Sequence, residues 1–482
     1  MFTSTAFLSI LPETLILILG VILLVIEPFW NEERRRNLGW LTAGGLLAVL
    51  IISILIGRPG DPTMTFGNTI RFDWFGFFFK MLFVFGAGMT ALFLMDHEKL
   101  GRRGEAYVLL LASTIGMCLM ASAADLILLY LAIETTSIPL YVLAGFMLSD
   151  DRSTEAGLKY LLFGAMTSAV MLYGFSLLYG FTGTTNLYAL ANAFKAGQIA
   201  APVIFGVIIL VIVGLAFKVA IVPFHFWAPD VYEGAPTPVS GFLSTASKAA
   251  GFAVIARLFF VVFHDFTIDW MSALAVLAAV TMTVGNLLAL PQKNIKRMLA
   301  YSSIAHAGYA MIGIVAVTKL GITSVVFYMA SYIVTNLAAF GVVVAVGRVV
   351  GSDEYESYKG LSRRSPLLGL IMVSAFLSLA GIPPFAGFVA KVFVFAAGMQ
   401  AGYVWLVIVG ILNSIIGVYY YLNVMKYVYL YRMENEDEDK NPIALTRPYA
   451  IALIVLVLGV ILLGTVFAPW FGYSNAAALN LF

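Results

Sequence analysis

Five ionisable side chains fall inside long apolar runs of this sequence: Glu134, Lys218, Lys248, His306 and Lys391. A charge at bilayer depth is costly and seldom kept without use, so each is a candidate for moving an ion or a proton. A carboxylate that approaches a buried ammonium stabilises its charged form, and one that withdraws frees the proton. A Glu134–Lys218 pair that tightens and loosens would therefore load and unload Lys218. Such chemistry needs no nucleophile and no metal. The five groups are expected to form a polar file across the bundle, parallel to the membrane plane, with water bridging the gaps. For Lys218 the alternative is a side chain snorkelling from a helix end. For His306 it is a hydrogen-bonded structural histidine, and for Glu134 a structural ion pair.

The elements that position these groups are apolar stretches of about 20 residues, the length needed to cross a bilayer core. Fourteen can be counted, which predicts an all-α polytopic membrane protein with about 14 transmembrane helices. The composition agrees: 61% of residues are hydrophobic and 11% charged, against roughly 25% charged in soluble domains. Lys248 lies about nine residues into the eighth stretch, roughly 14 Å along the helix and near the midplane. Glu134 and His306 fall at similar depths in the fifth and tenth.

Two stretches are broken. Lys218 precedes Pro223, Pro229, Pro236 and Pro238, and Lys391 follows Gly381-Ile-Pro-Pro-Phe-Ala-Gly387. Proline ends or kinks a helix, and in hydrocarbon the freed backbone groups need protein or a water-filled cavity around them. The breaks fall in the fourth member of helices 4–8 and the fourth member of helices 9–13. This predicts two inverted five-helix repeats with discontinuous helices 7 and 12. The boundaries are 1–104 for helices 1–3, 105–263 for the first repeat, 271–431 for the second, and 432–482 for a loop and helix 14.

Eighteen of the 28 lysines and arginines fall in one set of alternate loops and four in the other. That asymmetry places the richer set in the cytoplasm and both termini outside. The apolar run 8–26 has no basic segment before it and no small-residue cleavage site after it, and is expected to be retained. Lys80 and Lys159 lie near helix starts and are expected to snorkel. Arg257, near the outer end of helix 8, is expected to reach headgroups or a loop carbonyl. Asp125, Asp230 and Glu233 read as caps or local ion pairs.

Gly86-Ala-Gly-Met-Thr-Ala91 spells a dinucleotide fingerprint but has no strand before it, so helix packing is expected there. The acidic run Glu434 to Asp439 reads as a solvated cytoplasmic loop. Trp405, Trp470, Tyr473 and tyrosines 419–421 read as interfacial or packing aromatics. A single cysteine, Cys118, excludes disulfides and thiolate-bound clusters within the chain, and the four histidines are scattered. The net charge of +2 gives no footprint for nucleic acid.

The run Lys218-Val-Ala-Ile-Val-Pro-Phe-His-Phe-Trp-Ala-Pro-Asp-Val-Tyr-Glu-Gly-Ala-Pro-Thr-Pro-Val239 closely resembles the signature of antiporter-like subunits of respiratory complex I. The form from Pro229 to Pro238 looks like the N-type subunit; M- and L-type relatives usually carry a histidine soon after the Pro-Asp. Glu134-Thr-Thr-Ser-Ile-Pro-Leu-Tyr-Val142, Leu299-Ala-Tyr-Ser-Ser-Ile-Ala-His306 and Gly381-Ile-Pro-Pro-Phe-Ala-Gly-Phe388 add to the likeness. The absence of a long C-terminal lateral helix favours N over L.

The resemblance implies a proton-translocating subunit of NADH:quinone oxidoreductase, with redox chemistry carried elsewhere. Glu134 would modulate Lys218, Lys248 would be the central relay and Lys391 the terminal lysine, with His306 as a bridging group. NADH, FMN, iron–sulfur clusters and quinone would belong to the whole complex and none to this chain. M-type and small K-type subunits, the lateral helix of the L-type subunit and the lipid bilayer would be its partners, in a bacterial plasma membrane. An Mrp-type cation/proton antiporter subunit is the alternative, sharing fold and lysines.

Overall fold

The structure, a computed structural model, describes residues 4–97, 99–195, 199–433 and 442–481. The acidic run Glu434 to Asp439 lies outside them. Among the described residues the chain forms α1 (Leu11–Ile26), α2 (Leu38–Ile56), α3 (Trp74–Leu94), α4 (Gly104–Ser122), α5 (Leu126–Ala144) and α6 (Asp151–Thr182). Then follow α7 (Ala201–Val219), α8 (Trp227–Gly234), α9 (Thr237–Val262), α10 (Thr267–Ala289), α11 (Ile295–Val315) and α12 (Lys319–Val350). The last are α13 (Pro366–Ala380), α14 (Ala386–Gln400), α15 (Val404–Tyr429), α16 (Arg447–Thr465) and α17 (Phe467–Leu479). Among the described residues thirteen helical spans are long and apolar enough to cross a membrane. The two short helices α13 and α14 together make the broken fourteenth.

Side-chain caps fix where several helices begin. Asp73 accepts a hydrogen bond from Gly76 N–H at the start of α3, and Asp125 accepts from Ile127 and Leu128 at the start of α5. Asn294 and Thr318 do the same for α11 and α12. Each satisfies backbone donors that a helix start leaves free.

Both breaks are built alike. At the end of α7, Ala220 N–H bonds to Phe217 C=O and Ile221 N–H to Ala216 C=O; at the end of α13, Gly381 bonds to Ser378 and Ile382 to Leu377. These are paired C-terminal caps closed by a left-handed residue, Ala220 with φ 59° and Gly381 with φ 83°. The prolines two or three residues on stop the helix from resuming. An alanine in that conformation costs about 1–2 kcal/mol, so packing must hold the first break in place.

α9, α11 and α12 form the centre. In α9 and α11, 94% of the apolar window is buried, against 28% of the span that contains α2. α9 widens into a π-turn at Leu243–Ser247, immediately before Lys248. At the opposite end of the bundle from the N-terminus, the Asp96 carboxylate ties three elements together. It accepts from Arg36 (2.8 Å), Arg348 (2.9 Å) and Thr446 (2.6 Å).

Elements without a counterpart among the fourteen apolar runs include α8, a hairpin of β1 (Thr63–Thr65) with β2 (Ile70–Phe72), the short helix Leu187–Lys195, and α17. α17 lies against α12 and α14 through Phe471, whose ring stacks on Phe393 at 3.9 Å. Asn480 just beyond it accepts from Trp74 N–H at 3.1 Å. Gly86 packs in helix contact, where an added Cβ would meet Ala246 at 3.5 Å, so the fingerprint spelling reflects packing.

Candidate functional site

Lys218 is the penultimate residue of α7, and its side chain runs into the bundle rather than out to a surface. It is buried, and Nζ donates to Ser137 Oγ at 3.0 Å. Glu134 sits one turn before Ser137 on α5 and accepts a short hydrogen bond from Ser168 Oγ of α6. No direct Glu134–Lys218 ion pair forms: Lys218 bonds to the Ser137 hydroxyl and Glu134 to that of Ser168. Lys218 lies in the last turn of α7, the end of a helix where a cation is favoured. Gly251 of α9 leaves the room: a Cβ there would stand 2.4 Å from Val219 Cγ1 and 3.3 Å from Lys218 Cγ. Gly251→Ala is therefore expected to push α7 from α9 and destabilise the fold by about 1–3 kcal/mol. The check is the thermal unfolding midpoint, which falls.

Lys248, one turn before Gly251, donates to Ser303 C=O at 2.6 Å and makes a shorter bond to Ser303 Oγ. Ser303 belongs to α11, as does His306. The imidazole bonds through Nδ1 to Tyr328 OH at 2.7 Å and through Nε2 to Tyr421 OH at 3.3 Å. Tyr421 also shares a hydrogen bond with Ser302. Lys248 is thus tied to α11 through the Ser303 carbonyl and hydroxyl, while His306, on α11 itself, is tied to α12 by Tyr328 and to α15 by Tyr421. Beyond His306 lies a cavity of about 10 Å³, lined by Tyr328, Tyr332, Ser378, Leu379 and Gly387. That is close to the space one water needs.

Lys391 follows its break in sequence but returns to it in space. Nζ donates to Leu379 C=O (2.9 Å), Ala380 C=O (3.1 Å) and Ser414 Oγ (2.8 Å), and it lies 4.8 Å from the Tyr309 ring centre. Both broken helices therefore hold a buried ammonium at the C-terminal end of their first half. Gly381 provides the space, since a Cβ on it would meet Lys391 Cδ at 2.8 Å.

The other charges sort differently from their depth in the sequence. Lys80 does not snorkel: Nζ stands 2.6 Å from Glu13 Oε1, and both side chains are buried. Arg257 does not reach headgroups. It is buried and donates to both Asp73 oxygens (2.9 and 3.1 Å), to Tyr188 OH and to Ala121 C=O. Lys159 pairs with Asp230 (2.6 Å) and Glu155, and Arg297 bridges Asp230 (2.8 Å) to Glu233 (3.0 Å), pinning α8 against α6 and α11. Partial burial works to raise the Asp230 carboxyl, but the hydrogen bonds from Lys159 and Arg297 outweigh it and hold the group below its usual range. Of the aromatics, Trp405, Trp470, Tyr473 and Tyr419 are exposed, whereas Tyr420 and Tyr421 are buried and hydrogen-bonded to Asn286 and His306. Among the described residues no cluster of three metal-ligating side chains occurs.

Residues 123–417 match the profile of the family described as "NADH:quinone oxidoreductase/Mrp antiporter, TM". The chain is 43% identical over 474 residues to the NADH-quinone oxidoreductase subunit N of Heliobacterium modesticaldum, covering 98% of each. It is 42% identical to that of Trichlorobacter lovleyi, covering 95% and 94%. Among solved structures it resembles a chain of respiratory complex I from Thermus thermophilus with bound aureothin. That match has a TM-score of 0.80 at 33% identity and covers 96% and 98% of the two chains. A chain of the Mrp complex from Dietzia sp. matches at TM-score 0.87 and 21% identity, covering 99% and 98%; that likeness is one of fold.

Proposed function

We propose, from the premise that this chain belongs to the NADH:quinone oxidoreductase/Mrp antiporter family as a subunit of the N type, that it carries protons across the membrane through the file Glu134, Lys218, Lys248, His306 and Lys391. The observation that carries this is the placement of two buried ammonium groups at matching helix breaks, with Lys248 and His306 on hydroxyl-bearing partners between them. Hydroxyls of serine and tyrosine both donate and accept, so they pass a proton without changing charge. On this reading 105–263 and 271–431 are the two working halves, flanked by 1–104 and 432–482. The redox groups (NADH, FMN, iron–sulfur clusters and quinone) belong to other subunits. The chain's partners are the M-type and K-type subunits and the lateral helix of the L-type subunit, in a bacterial plasma membrane with both termini outside.

Exchange of a metal cation for protons is the competing reading, but Glu134 is the one carboxylate among the five groups. The test is the assembled complex carrying Lys391→Ala, reconstituted in liposomes, with NADH oxidation and internal pH followed together. A lower proton yield per electron, independent of sodium, is expected. A wild-type yield would remove Lys391 from the path, and a sodium requirement would favour the exchanger.

A further inference from the structure

Glu13, Lys80, Asp73 and Arg257 take no part in the file, yet all four are buried at the end of the bundle where α1 and α3 begin and α4 and α9 end. Lys80 Nζ donates to Ser9 C=O at 2.7 Å and stands 2.6 Å from Glu13 Oε1. Ser9 Oγ in turn shares a hydrogen bond with Thr65 Oγ1 at 3.0 Å. A buried ion pair stabilises a fold only when the remaining lone pairs of its carboxylate are also satisfied. Here they are not: Lys80 lies off the hydrogen-bonding directions of Oε1, and neither Glu13 oxygen receives a hydrogen bond. The carboxylate keeps room for a proton.

A cavity of about 10 Å³ touches the Lys80 side of this pair, lined by Ser9, Lys80, Arg71, Asp73 and Ser122 among others. It has the size and the polar walls that one water requires. The same cavity reaches the second ion pair, in which Asp73 accepts from both terminal nitrogens of Arg257 and lies 3.3 Å from Arg71 Nε. Arg257 is carried by α9, about 13 Å of helix rise from Lys248. Two buried pairs, a water-sized space between them and a rigid helix leading to the central lysine therefore occur together.

We infer that Glu13, held by Lys80, is a second proton-exchange site, between the bundle interior and the aqueous phase at the end where α1 begins. In the empty state the pair is carboxylate and ammonium. A proton arriving through the cavity meets Lys80, which passes one of its own to Glu13 and takes the arriving one in its place, giving a carboxylic acid beside the ammonium; its departure by the same route restores the pair. No other reactant is consumed. This site rests on the transport reading given above.

The test uses the assembled complex in liposomes with Glu13→Gln and with the double variant Glu13→Gln/Lys80→Met, which leaves no unpaired charge. Redox-induced infrared difference spectra are recorded beside the proton yield per electron. Loss of one carboxylic-acid C=O band and a lower yield, in both variants, are expected. A full yield in the double variant, or an unchanged band, overturns the inference and leaves the pair as structure. Lys218→Ala measured in parallel separates the two claims, because normal pumping there would sink the transport reading instead.

Discussion

Lys218→Ala is expected to abolish proton translocation and, with it, most coupled quinone reduction, in a complex that still assembles. The structural cost is small for a buried charge. Lys218 has one hydrogen-bond partner, Ser137, whose hydroxyl also donates to Ile133 C=O at 2.7 Å and is not orphaned by the truncation. The functional cost is large, because a positioned proton-transfer group contributes about 10²–10⁴-fold to its step. Lys218→Arg refines the test: arginine keeps the positive charge but cannot release its proton. If Lys218 must load and unload, the arginine variant assembles and does not pump. If a fixed charge suffices, it pumps. NADH-driven acidification of proteoliposomes, read against the rate of NADH oxidation, distinguishes these outcomes, and wild-type acidification with alanine would leave Lys218 as structure.

The sequence announces its helices because the bilayer demands about 20 apolar residues in a row, and few other folds do. It announces the breaks because proline cannot continue a helix, and Gly381 marks the left-handed cap of the second. The partners of the five candidates are only half legible. Ser137 and Ser303 lie three residues from Glu134 and His306, so helical spacing puts each on the same face as its neighbour. Tyr328 and Tyr421 reach His306 from other helices, and no spacing rule could select them. Depth along a helix also says nothing of rotation about its axis. That is why Lys80 and Arg257 read as surface-seeking, although both point inward to carboxylates on other elements. Lys391 follows its break whereas Lys218 precedes its own, and side-chain direction accounts for the difference. A helical side chain leans toward its own N-terminus, and that carries the ammonium back to the carbonyls of α13. α17 was invisible because its aromatics alternate with small and polar residues and never make a 20-residue run.

Asp73→Ala is expected to be among the most damaging single substitutions to the fold. One carboxylate performs two tasks: it caps α3 through Gly76 N–H at 2.7 Å, and it receives both terminal nitrogens of the buried Arg257. Losing the cap costs about 1 kcal/mol. Removing one member of a buried ion pair costs about 3–5 kcal/mol, because the other charge stays behind uncompensated. Arg257 would retain the Ala121 carbonyl and the Tyr188 hydroxyl, neither of which is charged. Yield of assembled complex and the thermal unfolding midpoint should both fall sharply. Asp73→Asn keeps the capping oxygen and one acceptor and should fall between. The combination Asp73→Asn/Arg257→Met should recover much of the loss, since an absent pair is tolerated better than half of one. If Asp73→Asn/Arg257→Met proved no better than Asp73→Ala, the damage would come from lost packing around Arg257 rather than from its stranded charge.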